Sequence, residues 1–557
     1  MRYAYYWYIC KPIKTNNHYI FQMKYIKLFI AVSLSIATIT SCGKEEPNKG
    51  SSWEDIWGDK DKDDGNTLTD YERTVEQVQD DYNYPEGEPE EFYSPSLGAR
   101  KYKPVIVKYY PGHAAAAGDL GKAWKTEKAR IVHNMIGYEP ETKTYEKYQT
   151  LTNRYGSTLT MPRQEATGRF YVKKIDGRWW IIDPEGYVHY ERGVTSFRHG
   201  SSARNAAAFK ERFSDDDQTW IDITRQELAE TGIHSTGAFC TNAYVPMVNY
   251  NKSHGETPII MCPSFGFLSK FKSAKNGGKW PGNDELIEAC LVFHPDWPSW
   301  CREYIKSSEF DNYRFNKDCL GFFSDNEINF HYNVLQRALA IKDNNDIAKK
   351  AADDFLKSKN ATAYTEALGR EFAGLMAEKY YKAVREAVDA EAKGLMYVGT
   401  RLHGTPKYVQ QVVEAAGRYC DIVSINYYSR WSPELTTWVK NWGEWANKPF
   451  MVTEFYTKGV LDSDLPNTSG AGWCVPTQTE RAYAYQHFTL GLLEAKNCVG
   501  WTWFKYQDDD GTDNSSMPAN KGLYDNSYKM FPTLGKFMRE INFNAYDLIN
   551  YFDGKLK

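Results

Sequence analysis

Two glutamates stand at the ends of apolar runs and could do chemistry together. Glu327 closes Gly321-Phe322-Phe323-Ser324-Asp325-Asn326-Glu327, and Glu454 closes Phe450-Met451-Val452-Thr453-Glu454. Each run reads as a short buried strand that hands a carboxylate to the strand's C-terminal end. Paired carboxylates on separate strands are the minimum equipment for breaking a glycosidic bond. One must be held protonated to donate to the leaving oxygen, and the other ionised to attack the anomeric carbon. For a retaining reaction they stand about 5–5.5 Å apart. The reading takes Glu327 as acid/base and Glu454 as nucleophile. Burial and its partner's negative charge should raise Glu327, while hydrogen-bond donors keep Glu454 ionised. An inverting reaction would need a wider gap of about 6.5–9.5 Å.

Other strand ends supply sugar-binding candidates. The Asn326 amide is placed to hold the hydroxyl next to the anomeric carbon. Tyr428 or Tyr427 could donate to Glu454, and Trp503 could floor the subsite of the reacting sugar. Arg198 and His199, Arg401 and His403, and Asn242 could bind hydroxyls or an acidic substituent. Asp508-Asp509-Asp510 reads as a solvated loop.

The elements that must position these residues alternate between strand and helix, the pattern of a parallel α/β barrel. Strands are expected at 191–195, 235–239, 259–262, 319–323, 395–399, 421–425, 450–455 and 499–503. Helices are expected near 218–231, 283–309, 363–391, 478–495 and 531–541, with a helical insertion at 330–361. In the fourth-strand helix Leu368, Phe372, Leu375, Met376, Ala383 and Val384 recur at spacings of three and four, giving one apolar face. Before the barrel, Phe170-Tyr171-Val172 and Trp179-Trp180-Ile181-Ile182 flank Asp176-Gly177, a hairpin signal. The expected fold is α/β: a (β/α)8 TIM barrel over 166–557, preceded by a small β-rich or irregular segment at 92–165.

The bulk numbers agree with a polysaccharide or oligosaccharide partner. With 68 basic and 72 acidic residues the net charge is −4, so no basic field exists to attract nucleic acid. The 41 Tyr and 17 Trp offer flat apolar platforms with polar tips. The 11 His show no metal-ligand spacing, and no cofactor or metal is expected. Beyond the leader, Cys240, Cys262, Cys290, Cys301, Cys319, Cys420, Cys474 and Cys498 form no disulfide framework, and buried free thiols are the expected state.

The N-terminus reads as a leader at 1–42 whose true start is Met23. Lys24 and Lys27 precede an apolar core from Leu28 to Thr40, and Ile39-Thr40-Ser41-Cys42 resembles a bacterial lipoprotein signal with Cys42 as the lipidated residue. Export to the outer membrane, at the cell surface or the periplasmic face, and membrane contact through that anchor follow from this resemblance. Residues 43–91 are Gly-, Asp- and Glu-rich with few aliphatic side chains, so they read as a disordered acidic tether.

Four strand ends, Asp325-Asn326-Glu327, Ser424-Ile425-Asn426-Tyr427-Tyr428, Val452-Thr453-Glu454-Phe455 and Trp501-Thr502-Trp503, resemble those of clan A glycoside hydrolases. With Gly321–Glu327, Tyr397-Val398-Gly399-Thr400-Arg401 and Asp176-Gly177-Arg178-Trp179-Trp180, the chain most resembles the β-agarases of glycoside hydrolase family 50, and more distantly the β-galactosidases of family 42. The resemblance spans about residues 168–545. It implies retaining cleavage of a β-galactosidic or similar bond. The competing expectation is a lipid-anchored glycan-binding protein on a catalytically inactive barrel.

Overall fold

The computed structural model describes residues 70, 73, 88–94, 98–112, 114, 123–240, 243–508, 510 and 518–556. The leader with Cys42, most of 43–91, and Asn242 lie outside the described residues. Asp70, within the stretch read as a tether, is buried, and its carboxylate accepts from the Thr533 backbone N–H at 3.3 Å. It thereby satisfies an orphan donor at the start of the helix Pro532–Phe543.

The 92–165 segment holds two antiparallel ribbons, β1 (Glu90–Ser94) with β2 (Gly98–Tyr102) and β3 (Val105–Tyr109) with β4 (Lys125–Ala129), followed by the helix Tyr145–Leu151. In β3, Val105 and Val107 are buried while Ile106 and Lys108 face outward, the period-two pattern of a half-buried strand. The segment docks through polar groups on the helix Gln478–Glu494. Val132 N–H donates to Gln486 Oε1, Arg130 N–H to His487 Nδ1, and the Arg130 guanidinium meets Glu494 at 3.1 Å. Those partners meet part of the polar load that this helix buries on nearly every face.

The hairpin forms where Asp176-Gly177 signals it, between β5 (Tyr171–Ile175) and β6 (Arg178–Ile182), with β7 (Val188–His189) on the far side of β6. Both turn residues have positive φ, 50° and 81°, as a tight two-residue hairpin requires.

Parallel strands follow: β8 (Glu191–Val194), β9 (Ser235–Thr236), β10 (Ile260–Met261), β11 (Ser264–Phe265), β12 (Gly321–Ser324), β13 (Met396–Tyr397), β14 (Val423–Asn426) and β15 (Phe450–Glu454). A small parallel pair, β16 (Thr457–Gly459) and β17 (Trp473–Val475), precedes β18 (Cys498–Trp503). The ladders form a six-stranded sheet ordered β10-β9-β8-β18-β15-β14 and a three-stranded sheet ordered β11-β12-β13. This is a mixed α/β fold whose continuous ladders stop short of a closed barrel. At the two seams, single parallel bridges join Met261 to Cys319 and Leu402 to Ile425. Gly500 is required where β18 meets β8: a Cβ there would lie 2.3 Å from Glu191 Cβ.

Two apolar cores result. The inner one gathers Ala238, Ile260, Leu320, Phe323, Met451 and Val499 from the strands, with Phe170 and Ile181 from the hairpin region. The outer one lies between strands and helices. The helix Glu366–Glu391 buries Phe372, Met376, Tyr380 and Val384 there, and Thr365 caps it by accepting from Leu368 N–H. The eight described cysteines are buried and free. No helix among the described residues is long and apolar enough to cross a membrane.

Candidate active site

The chain leaves β12 through two residues in the left-handed region, Asp325 (φ 56°) and Glu327 (φ 53°). For a glutamate that conformation is uncommon and persists only where the surroundings over-determine it. Here they do. Glu327 N–H donates to Thr400 O at 2.9 Å, and Asp325 N–H to Phe265 O at 2.6 Å. The Asp325 carboxylate accepts from Leu268 N–H at the start of the helix Phe267–Lys275 and from Tyr380 OH at 2.6 Å. Burial pushes that carboxyl up to about 7, against the pull of those donors. Asp325 thus anchors the turn that presents Asn326 and Glu327.

Glu454 ends β15 in a closed setting, with only 6% of its surface exposed. Arg401 Nη2 meets its Oε1 at 2.6 Å, and Tyr428 OH donates to its Oε2 at 2.7 Å. Arg401 is fully buried and ties three groups together: Nη2 also reaches Thr453 O at 3.0 Å, and Nη1 donates to Asn326 Oδ1 at 3.1 Å. Its guanidinium lies over the rings of Phe239 and Phe323, at 4.8 and 5.3 Å from their centroids. With Asn326 Oδ1 taken by Arg401, the amide's N–H groups are the end left to offer a ligand.

The donors expected to keep Glu454 ionised are present, and they act against burial. Burial is the largest influence and pushes its carboxyl up, with the Glu327 charge adding to the rise; the Arg401 guanidinium and the Tyr428 hydroxyl oppose it. Protonating Glu454 would strand the buried Arg401 charge without its carboxylate, so Arg401 favours the ionised form. Burial and the Glu454 charge hold Tyr428 well above the ordinary phenol range, which keeps it a donor.

Glu327 is more open, its side chain 31% exposed. Asn426 Nδ2 donates to its Oε1 at 2.7 Å, and His403 Nδ1 stands 3.8 Å away. Asn426 is itself buried and fixed, its Oδ1 accepting from Thr453 Oγ1 at 2.8 Å. Sequence reasoning did not assign Asn426 a role, although its place before Tyr427-Tyr428 at a strand end was the available signal. Lys407, buried near Glu327, was also missed; burial lowers it to about 8, with the Glu327 charge pulling the other way.

The remaining candidates divide. Of the two tyrosines, Tyr428 reaches Glu454, whereas Tyr427 OH donates to Glu434 at 3.1 Å. Trp503 is 1% exposed; its indole N–H donates to Lys521 O and its ring meets Phe455 edge-on in the outer core. It lines the pocket that Tyr428 and Tyr456 also line, with little of its surface open. Arg198 and His199 line a separate pocket with Gln507 and Asp508, where His199 Nε2 lies 3.4 Å from Asp217. Asp508 is not solvated as expected: it is buried and accepts from Asn520 and Gly522 N–H, and burial pushes it to about 7. Asn242 lies outside the described residues. Among the described residues, no group of three or more His, Cys, Asp or Glu is placed to hold a metal ion.

Comparison with known proteins adds to this geometry. No protein-family model matches the chain. Beta-agarase B of Vibrio sp. (strain JT0107) is 22% identical over 450 residues, covering 64% of this chain and 46% of its own length. Beta-agarase A of the same strain is 27% identical over 177 residues, or 30% of this chain and 17% of its own. The chain thus spans about half or less of the curated relatives it matches. Among solved structures, the crystal structure of BpGH50 is 44% identical, with 84% of this chain covering 99% of that one at a TM-score of 0.77. The agarase AgWH50C, at 17% identity, shares the fold over 72% of this chain and 66% of its own, with a TM-score of 0.58.

Proposed function

Because the chain belongs to glycoside hydrolase family 50, we propose that it is a retaining glycoside hydrolase cleaving β-galactosidic bonds of agarose-type galactans. One observation carries the reading. Two strand-end carboxylates occupy opposed settings: Glu454 is buried and charge-paired, while Glu327 is partly open and held by one neutral amide. The first setting suits an ionised nucleophile, and the second suits a group that must exchange protons with sugar and water.

In the first step Glu454 attacks the anomeric carbon, and the glycosidic C–O bond breaks as Glu327 gives its proton to the departing oxygen. In the second, Glu327 takes a proton from water, whose oxygen displaces Glu454 and restores both carboxyls. Asn326, oriented by Arg401, holds the neighbouring hydroxyl through both steps. The strands that carry these groups are read as a closed eight-stranded (β/α)8 barrel in the order β8-β9-β10-β12-β13-β14-β15-β18. The seam bridges at Met261–Cys319 and Leu402–Ile425 support that closure. Lipidation at Cys42 and an outer-membrane location rest on the Ile39–Cys42 sequence, and radiolabelled palmitate incorporation lost in Cys42→Ala tests them.

The deciding experiment follows hydrolysis of neutral agarose oligosaccharides by proton NMR with wild type, Glu327→Ala and Glu454→Ala. Retention predicts a β-anomeric first product from wild type and none from Glu454→Ala. An α-anomeric product overturns the retaining mechanism. Binding of these oligosaccharides with no turnover by wild type overturns the enzyme reading in favour of a glycan-binding protein.

A further inference from the structure

A second pocket, open to solvent, lies beside the carboxylates between the ends of β14 and β15 and the helix Gln478–Glu494. Tyr428, whose hydroxyl sits on Glu454, forms part of its wall, and Tyr456 meets that ring edge-on at 5.4 Å. Its rim carries two partly buried indoles, Trp431 and Trp473. Ser429, in the left-handed region (φ 64°), turns the chain so that Tyr428 reaches inward while Trp431 reaches the rim. The wall also holds a buried hydroxyl with no protein partner, Thr457 Oγ1.

Both rim indoles are held by the N-terminal ribbon, to which the sequence assigned no role. Tyr109, the last residue of β3, stacks on Trp473 at 5.0 Å and 22°, and lies 5.6 Å from Trp431. Tyr110 and Cys474 exchange backbone hydrogen bonds of 2.8 and 2.9 Å, fixing β3 against β17. The Trp431 indole N–H donates to Lys128 O in β4 at 3.2 Å. Aromatic rings with polar tips suit a pyranose, whose C–H face packs on a ring while its equatorial hydroxyls need polar partners.

We infer that this pocket is a sugar-binding subsite for a further pyranose of the galactan chain, with Trp431 and Trp473 as platforms and Tyr109 as the positioning residue that sets them. The inference rests on the proposed glycosidase reading, because continuity with Glu454 through Tyr428 makes the occupant part of the same glycan. It gives the N-terminal ribbon a defined role, which is to complete the subsite.

The test titrates neutral agarose oligosaccharides of two and six units into Glu454→Gln protein, read by calorimetry and tryptophan fluorescence, and adds steady-state kinetics in the active background. Trp473→Ala and Trp431→Ala should each weaken the six-unit ligand about tenfold, the scale of one aromatic contact of about 1.4 kcal/mol, and leave the two-unit ligand unchanged. In the active background they should raise KM for the long substrate at unchanged kcat. Tyr109→Ala should reproduce this loss, and Tyr109→Phe, which keeps the stack, should restore wild-type values. Equal effects on both ligand lengths, or no effect on the long one, overturn the inference. If Tyr109→Ala fails to fold, the two tryptophan variants decide. Wild type that binds the long ligand through these tryptophans yet never hydrolyses it sinks the glycosidase reading alone; active wild type with silent pocket variants sinks this one alone.

Discussion

Replacing Arg401 with methionine probes the site at its most connected residue. The substitution keeps the stem's bulk and removes one charge and three hydrogen bonds, to Glu454 Oε1, Thr453 O and Asn326 Oδ1. Unit charges about 4 Å apart attract by roughly 4 kcal/mol at an effective dielectric of about 20. Breaking a buried pair from one side costs about 3–5 kcal/mol, because the surviving charge is left uncompensated. Burial already pushes the Glu454 carboxyl up, and Arg401 is the main force against it. Without Arg401 that carboxyl moves further up and is protonated over more of the pH range. In the proposed retaining mechanism Glu454 reacts ionised, so the acid limb of kcat/KM against pH should move to higher pH. At neutral pH a loss of about 4 kcal/mol corresponds to about a thousandfold fall in kcat/KM. Arg401→Lys keeps a charge, but a single ammonium cannot serve three acceptors as the planar fork does, so recovery should be partial. The assay is kcat/KM on agarose oligosaccharides from pH 5 to 9, with a melting curve for each variant. A folded Arg401→Met protein within about threefold of wild type, with its acid limb unmoved, would refute the argument.

Four further variants have expected outcomes. Tyr428→Phe removes a hydrogen bond to a charged oxygen, worth about 1.5–3 kcal/mol, so kcat should fall about tenfold to a hundredfold. Tyr427→Phe, whose hydroxyl serves Glu434, should stay within about twofold of wild type in kcat, and side-by-side kinetics separate the two. Asn426→Ala leaves Glu327 without its donor and Thr453 without its acceptor; pre-steady-state kinetics should show the glycosylation step slowed at least about tenfold. Asp325→Asn tests linkage. Burial raises this carboxyl from 3.8 to about 7, so the native state keeps a proton that the unfolded chain surrenders. The stability it contributes is full below pH 3.8 and is lost as pH rises through about 7. Wild-type melting temperature should therefore fall between pH 5 and 8, and Asp325→Asn should flatten part of that fall. Glu288, raised to about 8 by burial and by Asp325, and Asp462 and Asp508, each raised to about 7 by burial, add to the fall with the same sign.

The sequence reveals the strands because their interiors are continuous apolar runs, and β12, β15 and β18 lie within two residues of the expected positions. The long helices are legible for a different reason. Glu366–Glu391 and Gln478–Glu494 begin at Thr365 and Thr477, whose side chains cap them, and the first keeps one apolar face. Short helices such as Ala203–Phe213, Tyr244–Ser253, Gln410–Tyr419 and Trp438–Ala446 carry no assigned residues in the sequence reading. Of these, only the first has a side chain that caps its N-terminus, and Tyr244–Ser253 has a proline inside its first turn, so their boundaries are weakly marked. The ribbons β1–β4 are too short to announce their partners, because the pairing of β3 with β4 depends on docking against the helix Gln478–Glu494.

The site was legible in its carboxylates and obscure in its wiring, and the cause lies in the backbone. A strand alternates its side chains with period two, so sequence can say which residues share a face only while the strand continues. At this mouth the strands stop in left-handed residues: Ser196, Phe239, Asp325, Glu327, Arg401 and Ser429 all have φ between 52° and 66°. Each such residue re-aims the side chains after it. That is why adjacent Tyr427 and Tyr428 part company, one to Glu434 and the other to Glu454. It is also why Arg401, read from sequence as one sugar-binding candidate among several, turns inward to join Asn326 and Glu454. None of these six residues is glycine, so each left-handed turn is held by tertiary contacts and not by intrinsic preference. The strain therefore sits at the mouth, where it fixes the separation and orientation of the two carboxylates, and substituting glycine at Arg401 or Glu327 would remove the very side chain that the turn exists to aim.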